Sequence, residues 1–203
     1  MGARGPTERE RIRAALIDLV DEGGYEALEL RSIAERTGLS SSAVAREFPN
    51  PEACFVAIWE EIDAELASLL NDAYENEEGD WPVRLRAALD AFLGFLDVDP
   101  GRARLYVVEV MLVSEAMRAR REAAQARLAA IIGRGRQESE DDAPSKIAEA
   151  VSGAVWYRVE SRLRRGDGPA LRAELPLMTY FAVLPYRGTE IARAQLARRS
   201  HPE

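Results

Sequence analysis

The sequence predicts an all-α protein of about nine to ten helices. Apolar residues recur at helical spacing along most of the chain, no segment alternates as a half-buried strand would, and glycines, prolines and capping residues separate the apolar stretches. The 203 residues, 47% of them hydrophobic, are enough for one or two compact domains. We expect a boundary near residue 50, with an N-terminal domain over 1–50 and a C-terminal domain over 51–203.

The elements follow from local start and stop signals. Thr7 and Glu10 form a capping-box pattern, and Asn50-Pro51 combines an N-cap with a proline at the first helical position. Residues 138–143 and 166–168 read as loops, and Pro144 or Ser145 and then Pro169 open the helices after them. The predicted helices cover about residues 7–23, 30–37, 41–48, 51–74, 81–96, 100–113, 115–136, 144–165, 169–185 and 189–198.

The stretch from Leu30 to Phe48 has the pattern of a helix-turn-helix. Gly38 can adopt the left-handed conformation that ends the first of its two helices, and Ser40 is a good N-cap for the second. In such a motif the second helix can enter the DNA major groove.

Composition argues against several other classes of protein. The chain has a single cysteine, Cys54, and a single histidine, His201, so neither a disulfide nor a Cys/His metal site is expected. No nucleophile–base pair or phosphate-binding glycine loop is present, and we expect neither an enzyme nor a cofactor. No apolar segment follows Arg4, and no stretch reaches the roughly 20 apolar residues of a membrane span. We therefore expect a cytoplasmic protein.

The charge balance is unfavourable for DNA binding. The net charge is −8, and residues 1–55 hold seven arginines against ten acidic residues, a balance of −3. Affinity for DNA comes largely from cations that meet phosphates, so placement of the arginines has to compensate for the sum.

Residues 9–59 resemble the N-terminal domain of tetracycline-repressor-type (TetR/AcrR) transcriptional regulators. The residues that carry this resemblance are Gly24-Tyr25, Ile33-Ala34, Gly38-Leu39-Ser40, Phe48-Pro49 and the helix start at Asn50. The resemblance implies a homodimer that reads a palindromic double-stranded DNA operator. It also implies a C-terminal helical domain that binds a small molecule.

If the family's contacts carry over, the start of the third helix meets the bases. Arg46 is the best candidate for guanine, since its fork can bond O6 and N7 together, while pairing with Glu47 or Glu52 is the alternative. The candidate DNA-binding residues are Ser40, Ser41, Ser42, Arg46, Arg31 and Arg9.

Four positions depart from the family pattern. Ala45 and Glu47 stand where aromatic or histidine side chains are usual, Pro51 replaces a phosphate-contacting lysine, and Glu29 replaces a capping Ser or Thr. The first three remove a phosphate contact or add negative charge. They motivate an alternative function, a TetR-like helical ligand-binding or protein-interaction dimer with weak or lost DNA binding.

Bulky residues of the C-terminal helices suggest a pocket for a hydrophobic or amphipathic effector. Glu109 is unusual because it lies in the apolar run YVVEVML, where it needs a partner; an ion pair with Arg104, Arg158 or Arg162 is the favoured explanation, and an effector-binding role is the other. The candidate pocket residues are Phe92, Phe95, Tyr106, Glu109, Met111, Trp156 and Tyr157.

Two late helices carry small and apolar residues suited to a four-helix dimer interface, with an internal core as the alternative. The candidate interface residues are Ala150, Gly153, Ala154, Leu177, Met178 and Phe181. Together these features predict a ligand-responsive DNA-binding regulator, and we expect a repressor.

Overall fold

The protein is all-α in a computed structural model that describes residues 5–139, 146–166 and 170–197. No strand occurs within these ranges, which confirms the predicted class. The α-helices are α1 (Glu8–Gly23), α2 (Leu30–Thr37), α3 (Ser41–Glu47), α4 (Pro51–Asn76), α5 (Trp81–Asp97), α6 (Pro100–Arg104), α7 (Val110–Val113), α8 (Glu115–Gly133), α9 (Ile147–Arg165) and α10 (Leu175–Ala197).

Helices α1–α3 form a small N-terminal unit whose ends are fixed by the predicted signals. The Thr7 hydroxyl accepts the Glu10 N–H at 3.2 Å, and the Glu10 carboxylate accepts the Thr7 N–H at 2.7 Å, which completes a capping box. Gly38 ends α2 with φ 69°, in the left-handed region. The turn and both helices of the helix-turn-helix are therefore where the sequence places them.

The long helix α4 connects this unit to the remaining helices. Asn50 caps it by accepting the Ala53 N–H at 2.7 Å, and Pro51 occupies its first position. Helix α5 packs against both α4 and α10, and α8 pairs with α9. One continuous cluster of buried side chains runs from α1 to α10. The boundary near residue 50 stays a prediction.

Four stretches differ from the predicted helices, and in one of them a 3₁₀ turn, Leu171–Glu174, precedes α10. The single helix expected over 100–113 contains a π-helical segment, Leu105–Glu109, between α6 and α7. Helix α8 ends at Gly133 and continues as a 3₁₀ turn, Arg134–Glu138. Helix α10 passes through Pro185 and bends at Gly188, where φ is 72°. The expected break between two helices is a kink at this glycine, which adopts a conformation that other residues rarely take.

Several predictions fall outside the described residues. These are the helix starts at Pro144 or Ser145 and at Pro169, most of the two loops before them, and the positions of Arg4 and His201. Within the described ranges, no helix is long and apolar enough to cross a membrane. No group of three or more His, Cys, Asp or Glu side chains that could hold a metal ion occurs there either.

Candidate nucleic-acid interface and ligand site

Helix α3 is held on the N-terminal unit by one buried side and presents the other to solvent. Val44 is fully buried, and Ser40 caps the helix by accepting the Ala43 N–H at 3.1 Å. Ser41, Ser42 and Arg46 are exposed. An exposed N-terminal half of a short, well-capped helix is the geometry by which a recognition helix offers side chains to base edges.

Arg46 extends along α3 without an acidic partner. Its Nε lies 3.4 Å from the carbonyl oxygen of Ser42, one turn earlier. Among the residues that the structure describes, no carboxylate pairs with it, although Glu47 is adjacent in sequence. The guanidinium fork is therefore open to an outside acceptor such as a guanine edge.

Arg9 is engaged inside the protein instead. It donates to Glu47 of α3 and to Glu61 of α4, both at 2.6 Å, and its guanidinium lies 5.6 Å from the centre of the Phe48 ring. The hydrogen bond to Glu61, with that to Glu47, raises the pKa of Arg9. Arg9 thus links α1, α3 and α4, and Glu47 compensates its charge at the surface where DNA would bind.

The other arginines of the N-terminal unit are also partnered. Arg36 bonds Glu22 at 2.6 Å, and Arg31 lies 3.6 Å from Glu35. Arg13 pairs with Glu65 of α4, and Arg11 donates to the Thr37 carbonyl at 3.2 Å. A phosphate that approaches this surface has to compete with carboxylates for most of its cations.

Two of the four departures from the family pattern have a visible structural role. Ala45 is exposed and Glu47 holds Arg9. Pro51 begins α4, where a missing N–H costs nothing. Glu29 precedes α2 without a side-chain capping bond. In the first three places the side chain offers no contact to DNA phosphate.

The C-terminal helices bury an aromatic cluster at the predicted pocket. Phe92, Tyr106 and Trp156 are each at most 2% exposed. The centroid of the Trp156 ring lies 5.5 Å from that of Phe92 and 5.7 Å from that of Tyr106, and Tyr106 stacks on Trp59 at 5.1 Å. The rings fill the space between their helices by contacting one another, so a ligand at this place has to displace at least one of them.

Polar groups at the edge of this cluster were missed by sequence reasoning. The Tyr106 hydroxyl donates to Asp63 of α4 at 2.7 Å, and Arg127 of α8 pairs with the same carboxylate. Burial and the neighbouring Asp63 charge raise the pKa of Tyr106. Asp63 lies one turn after Trp59 on α4, a spacing that could have indicated a shared face.

The remaining candidate pocket residues lie apart from the cluster core. Phe95 is half-buried and its ring lies 3.9 Å from the Arg102 guanidinium, and Met111 is also half-buried. Tyr157 is 71% exposed and faces outward on α9. Glu109 pairs with Arg104, one of the three predicted arginines, at 3.2 Å, while Arg158 and Arg162 both bond Glu174 at 3.0 Å.

Helices α9 and α10 enclose an exposed apolar groove of about 230 Å³. Ala154, Leu177 and Phe181 line it together with Tyr157, and Met178 forms its buried floor. Phe181 is 52% exposed. These candidate dimer residues therefore form one continuous surface.

The two other candidate dimer residues lie beside the groove. Ala150 is exposed near the start of α9. A Cβ atom on Gly153, which is half-buried, would lie 3.4 Å from the side-chain nitrogen of Gln125, so Gly153 faces α8. Its small size serves the packing of α9 on α8.

Comparison with known proteins agrees with this geometry. Residues 12–58 match the model of the family described as bacterial regulatory proteins, tetR family. The N-terminal unit therefore resembles that of tetR-family proteins. The matched range covers α1–α3 and the start of α4, so it includes the buried side of the helix-turn-helix and confirms the resemblance found in the sequence.

Two curated relatives align with part of the chain. The nucleoid occlusion factor SlmA of Vibrio vulnificus is 30% identical over 105 residues, which are 51% of this chain and 53% of that protein. SlmA of Vibrio cholerae is 29% identical over the same shares. The chain spans about half the length of the curated relatives that it matches.

Solved structures share the fold over most of the chain. The fatty acid degradation regulator FadR of Bacillus halodurans superposes with a TM-score of 0.78 at 15% identity, over 92% of this chain and all of that one. FadR of Bacillus subtilis, solved in complex with stearoyl-CoA, gives 0.72 at 16% identity over 88% and 97%. A tetR-family protein of Rhodococcus RHA1 gives 0.70 at 20% identity over 89% and 97%. These likenesses show that the chain, including its C-terminal helices, shares the fold of these three structures.

Proposed function

We propose that this chain is a ligand-responsive DNA-binding transcriptional regulator, a repressor, that acts as a homodimer on a palindromic operator. Residues 1–50 are its DNA-binding domain, and residues 51–203 bind the effector and form the dimer. The observation that carries the proposal is the exposed side of α3, on a unit that matches the tetR family model. This side presents Ser41, Ser42 and Arg46, and Arg46 pairs with no carboxylate among the described residues.

The contacts fall into two sets. Arg46 reads a base, because its fork is open, and Ser41 and Ser42 approach bases or phosphates near the start of α3. Ser40, Arg31 and Arg9 contact the DNA backbone. To do so, each of the two arginines leaves a carboxylate of this chain and binds a DNA phosphate instead. DNA binding should consequently weaken steeply as salt rises.

The dimer and ligand assignments use the C-terminal helices. The groove of Leu177, Phe181 and Tyr157 is an apolar surface that a second copy can cover, so α9 and α10 of two chains would form a four-helix interface. The ligand is hydrophobic or amphipathic and enters at the aromatic cluster of Phe92, Tyr106 and Trp156. The stearoyl-CoA complex of the Bacillus subtilis neighbour supports a long apolar ligand.

Selection from a random DNA library, followed by footprinting of the selected sequence, tests the DNA-binding function. We expect a palindromic site whose affinity falls with salt. Arg46→Ala should lower that affinity by about 1–3 kcal/mol for each half-site. Arg118→Ala, at an exposed arginine of α8, is the matched control and should leave it unchanged. If no specific site is selected at moderate salt, the proposal is wrong.

A second function is favoured by the charges of the N-terminal unit. Its balance of −3, and the carboxylates that hold Arg9, Arg13, Arg31 and Arg36, fit a helical ligand-binding or protein-interaction dimer with weak or lost DNA binding. The curated relatives are named nucleoid occlusion factors. A specific footprint that Arg46→Ala abolishes would decide against this alternative.

A further inference from the structure

The π-helical segment Leu105–Glu109 contacts both halves of the molecule. All five of its residues are buried. A π-helix adds one residue to each hydrogen-bonded ring, and such segments are rare and often occur at functional sites. Here the segment lies between two short α-helices, α6 and α7, within one continuous helical stretch.

On one side, Tyr106 joins the segment to the aromatic cluster and to α4. Its ring lies between Trp59 and Trp156, with centroid distances of 5.1 and 5.7 Å. Its backbone carbonyl accepts the Trp59 indole N–H at 3.1 Å, and its hydroxyl donates to Asp63. A ligand that displaces this ring therefore acts directly on the backbone of the π segment.

On the other side, Glu109 joins the segment to the N-terminal unit. Its carboxylate is 3% exposed and accepts the backbone N–H of Tyr25, just after α1, at 3.0 Å. A Cβ atom on Gly24 would lie 3.3 Å from the same carboxylate, and Gly24 has φ 74°. The left-handed glycine thus lets the carboxylate approach the chain closely.

Helix α1 makes a second close contact with the same helical stretch. A Cβ atom on Gly101 of α6 would lie 3.2 Å from the Ile17 side chain and 3.3 Å from that of Asp21. This contact is packing without a directional bond. Glu109 accepts a directional hydrogen bond from the N-terminal unit, and the bonds of Arg9 to Glu61 and of Arg13 to Glu65 join the same unit to α4.

We propose that the π segment couples the aromatic cluster to the N-terminal unit, and that Glu109 is the positioning residue through which it does so. Tyr106 and Glu109 lie three residues apart in the segment, so displacement of the Tyr106 ring moves the Glu109 carboxylate relative to the Tyr25 N–H. The role of this coupling in releasing DNA rests on the proposed function, whereas the coupling itself is a property of the chain alone.

Hydrogen exchange of the Tyr25 amide measures the contact without ligand or DNA. We expect Glu109→Leu to speed exchange of this amide at least tenfold relative to a reference amide in α9, Val159. Glu109→Gln keeps an acceptor oxygen and should change it less than threefold. Glu174→Gln removes a comparably buried carboxylate that contacts arginines of α9 and should leave Tyr25 unchanged. Unchanged Tyr25 exchange in Glu109→Leu would overturn the proposal.

Matched substitutions inside the aromatic cluster test transmission. Tyr106→Leu changes a ring that belongs to the π segment, and Phe92→Leu changes a ring of α5 that contacts the same Trp156. We expect Tyr106→Leu to speed exchange at Tyr25 at least fivefold more than Phe92→Leu does, after normalisation to Val159. Equal effects of the two variants would show general loosening and contradict the proposal.

The distance between two spin labels reports the orientation of the N-terminal unit relative to the C-terminal helices. The labels are attached to the two cysteines introduced in a Ser42→Cys, Glu122→Cys double variant. The native thiol of Cys54 does not compete for the label, because it is fully buried and burial raises its pKa to about 12. Dilution with unlabelled protein removes pairs between chains. Adding Glu109→Leu should broaden the distance distribution, and Glu174→Gln should not. An unchanged distribution in Glu109→Leu would refute the coupling, whereas failure to find an operator would refute only the proposed function.

Discussion

The solvent-facing surface of the N-terminal unit and the groove between α9 and α10 differ in how their surface groups are matched. On α1–α3, Arg9, Arg31 and Arg36 are each held by carboxylates of the same chain. In the groove, Leu177 and Phe181 face solvent without a covering helix among the described residues. A partner of the first surface has to replace existing ion pairs, whereas a partner of the second covers mainly apolar side chains beside the Arg158–Glu174 ion pair.

The groove should give the larger effect when it is changed. Phe181→Glu places a charge in the centre of the proposed interface, and twofold symmetry places two there, so we expect the dimer dissociation constant to rise by about two to three orders of magnitude. Sedimentation equilibrium measures this. Glu122→Lys, a charge change at an exposed position of α8, serves as the control. A dimer that persists in Phe181→Glu would show that the interface lies elsewhere.

The ion pairs beside the groove should contribute less. The hydrogen bond from Arg158 lowers the pKa of Glu174 below its ordinary value of 4.5, with Arg162 adding to the effect. We expect Glu174→Gln to lower the free energy of unfolding at pH 7 by about 1–3 kcal/mol. Because the folded-state pKa is depressed, this contribution is present above pH 4.5 and is lost as the pH falls through the folded-state value.

Urea titrations of both proteins between pH 7 and pH 3 check this prediction. The difference between wild type and Glu174→Gln should narrow as the pH drops. A difference that stays constant across that range would mean that the substitution acts through packing and that the charge of Glu174 contributes nothing.

On the N-terminal unit, the corresponding change should strengthen a function. Glu47→Gln removes a negative charge from the proposed DNA surface and frees part of Arg9, so we expect affinity for the selected operator to rise about three- to fivefold at low salt. The control is Glu60→Gln on α4, which removes an acid that pairs with Arg120 of α8. Equal or weaker binding by Glu47→Gln would mean that the Arg9 link is needed to orient α3.

A small effect is also expected at the start of α1. Thr7→Ala removes the side-chain half of the capping box and should cost about 1 kcal/mol of stability, while Thr7→Ser should restore most of it. Thermal unfolding measures both variants. A loss in Thr7→Ala that Thr7→Ser fails to restore would assign the effect to the threonine methyl group.

Local signals account for what the sequence predicted well. The end of α2 follows from Gly38, and the starts of α3 and α4 follow from Ser40 and Asn50, because each signal acts within one turn of the chain. A carboxylate in an apolar run needs a cation nearby, and Arg104, one of the three arginines expected to pair with Glu109, does so.

Contacts between distant elements and the hydrogen-bond pattern within apolar runs were beyond such signals. The sequence predicts α-helix over the π segment, because an almost wholly apolar stretch has no polar face from which its period can be determined. The two bonds of Arg9 join residues 38 and 52 positions apart. The hydrogen bond from the Tyr25 N–H to Glu109 spans 84 positions and depends on how α1 docks on α6.

The buried thiol of Cys54 provides a way to time the opening of the molecule. Its side chain is fully enclosed near the start of α4, and a thiol with a pKa of about 12 is almost entirely protonated at neutral pH. Reaction with a disulfide reagent then requires the region around it to open first. The rate of that reaction, followed in a spectrophotometer, therefore measures how often the junction between α4 and the N-terminal unit opens.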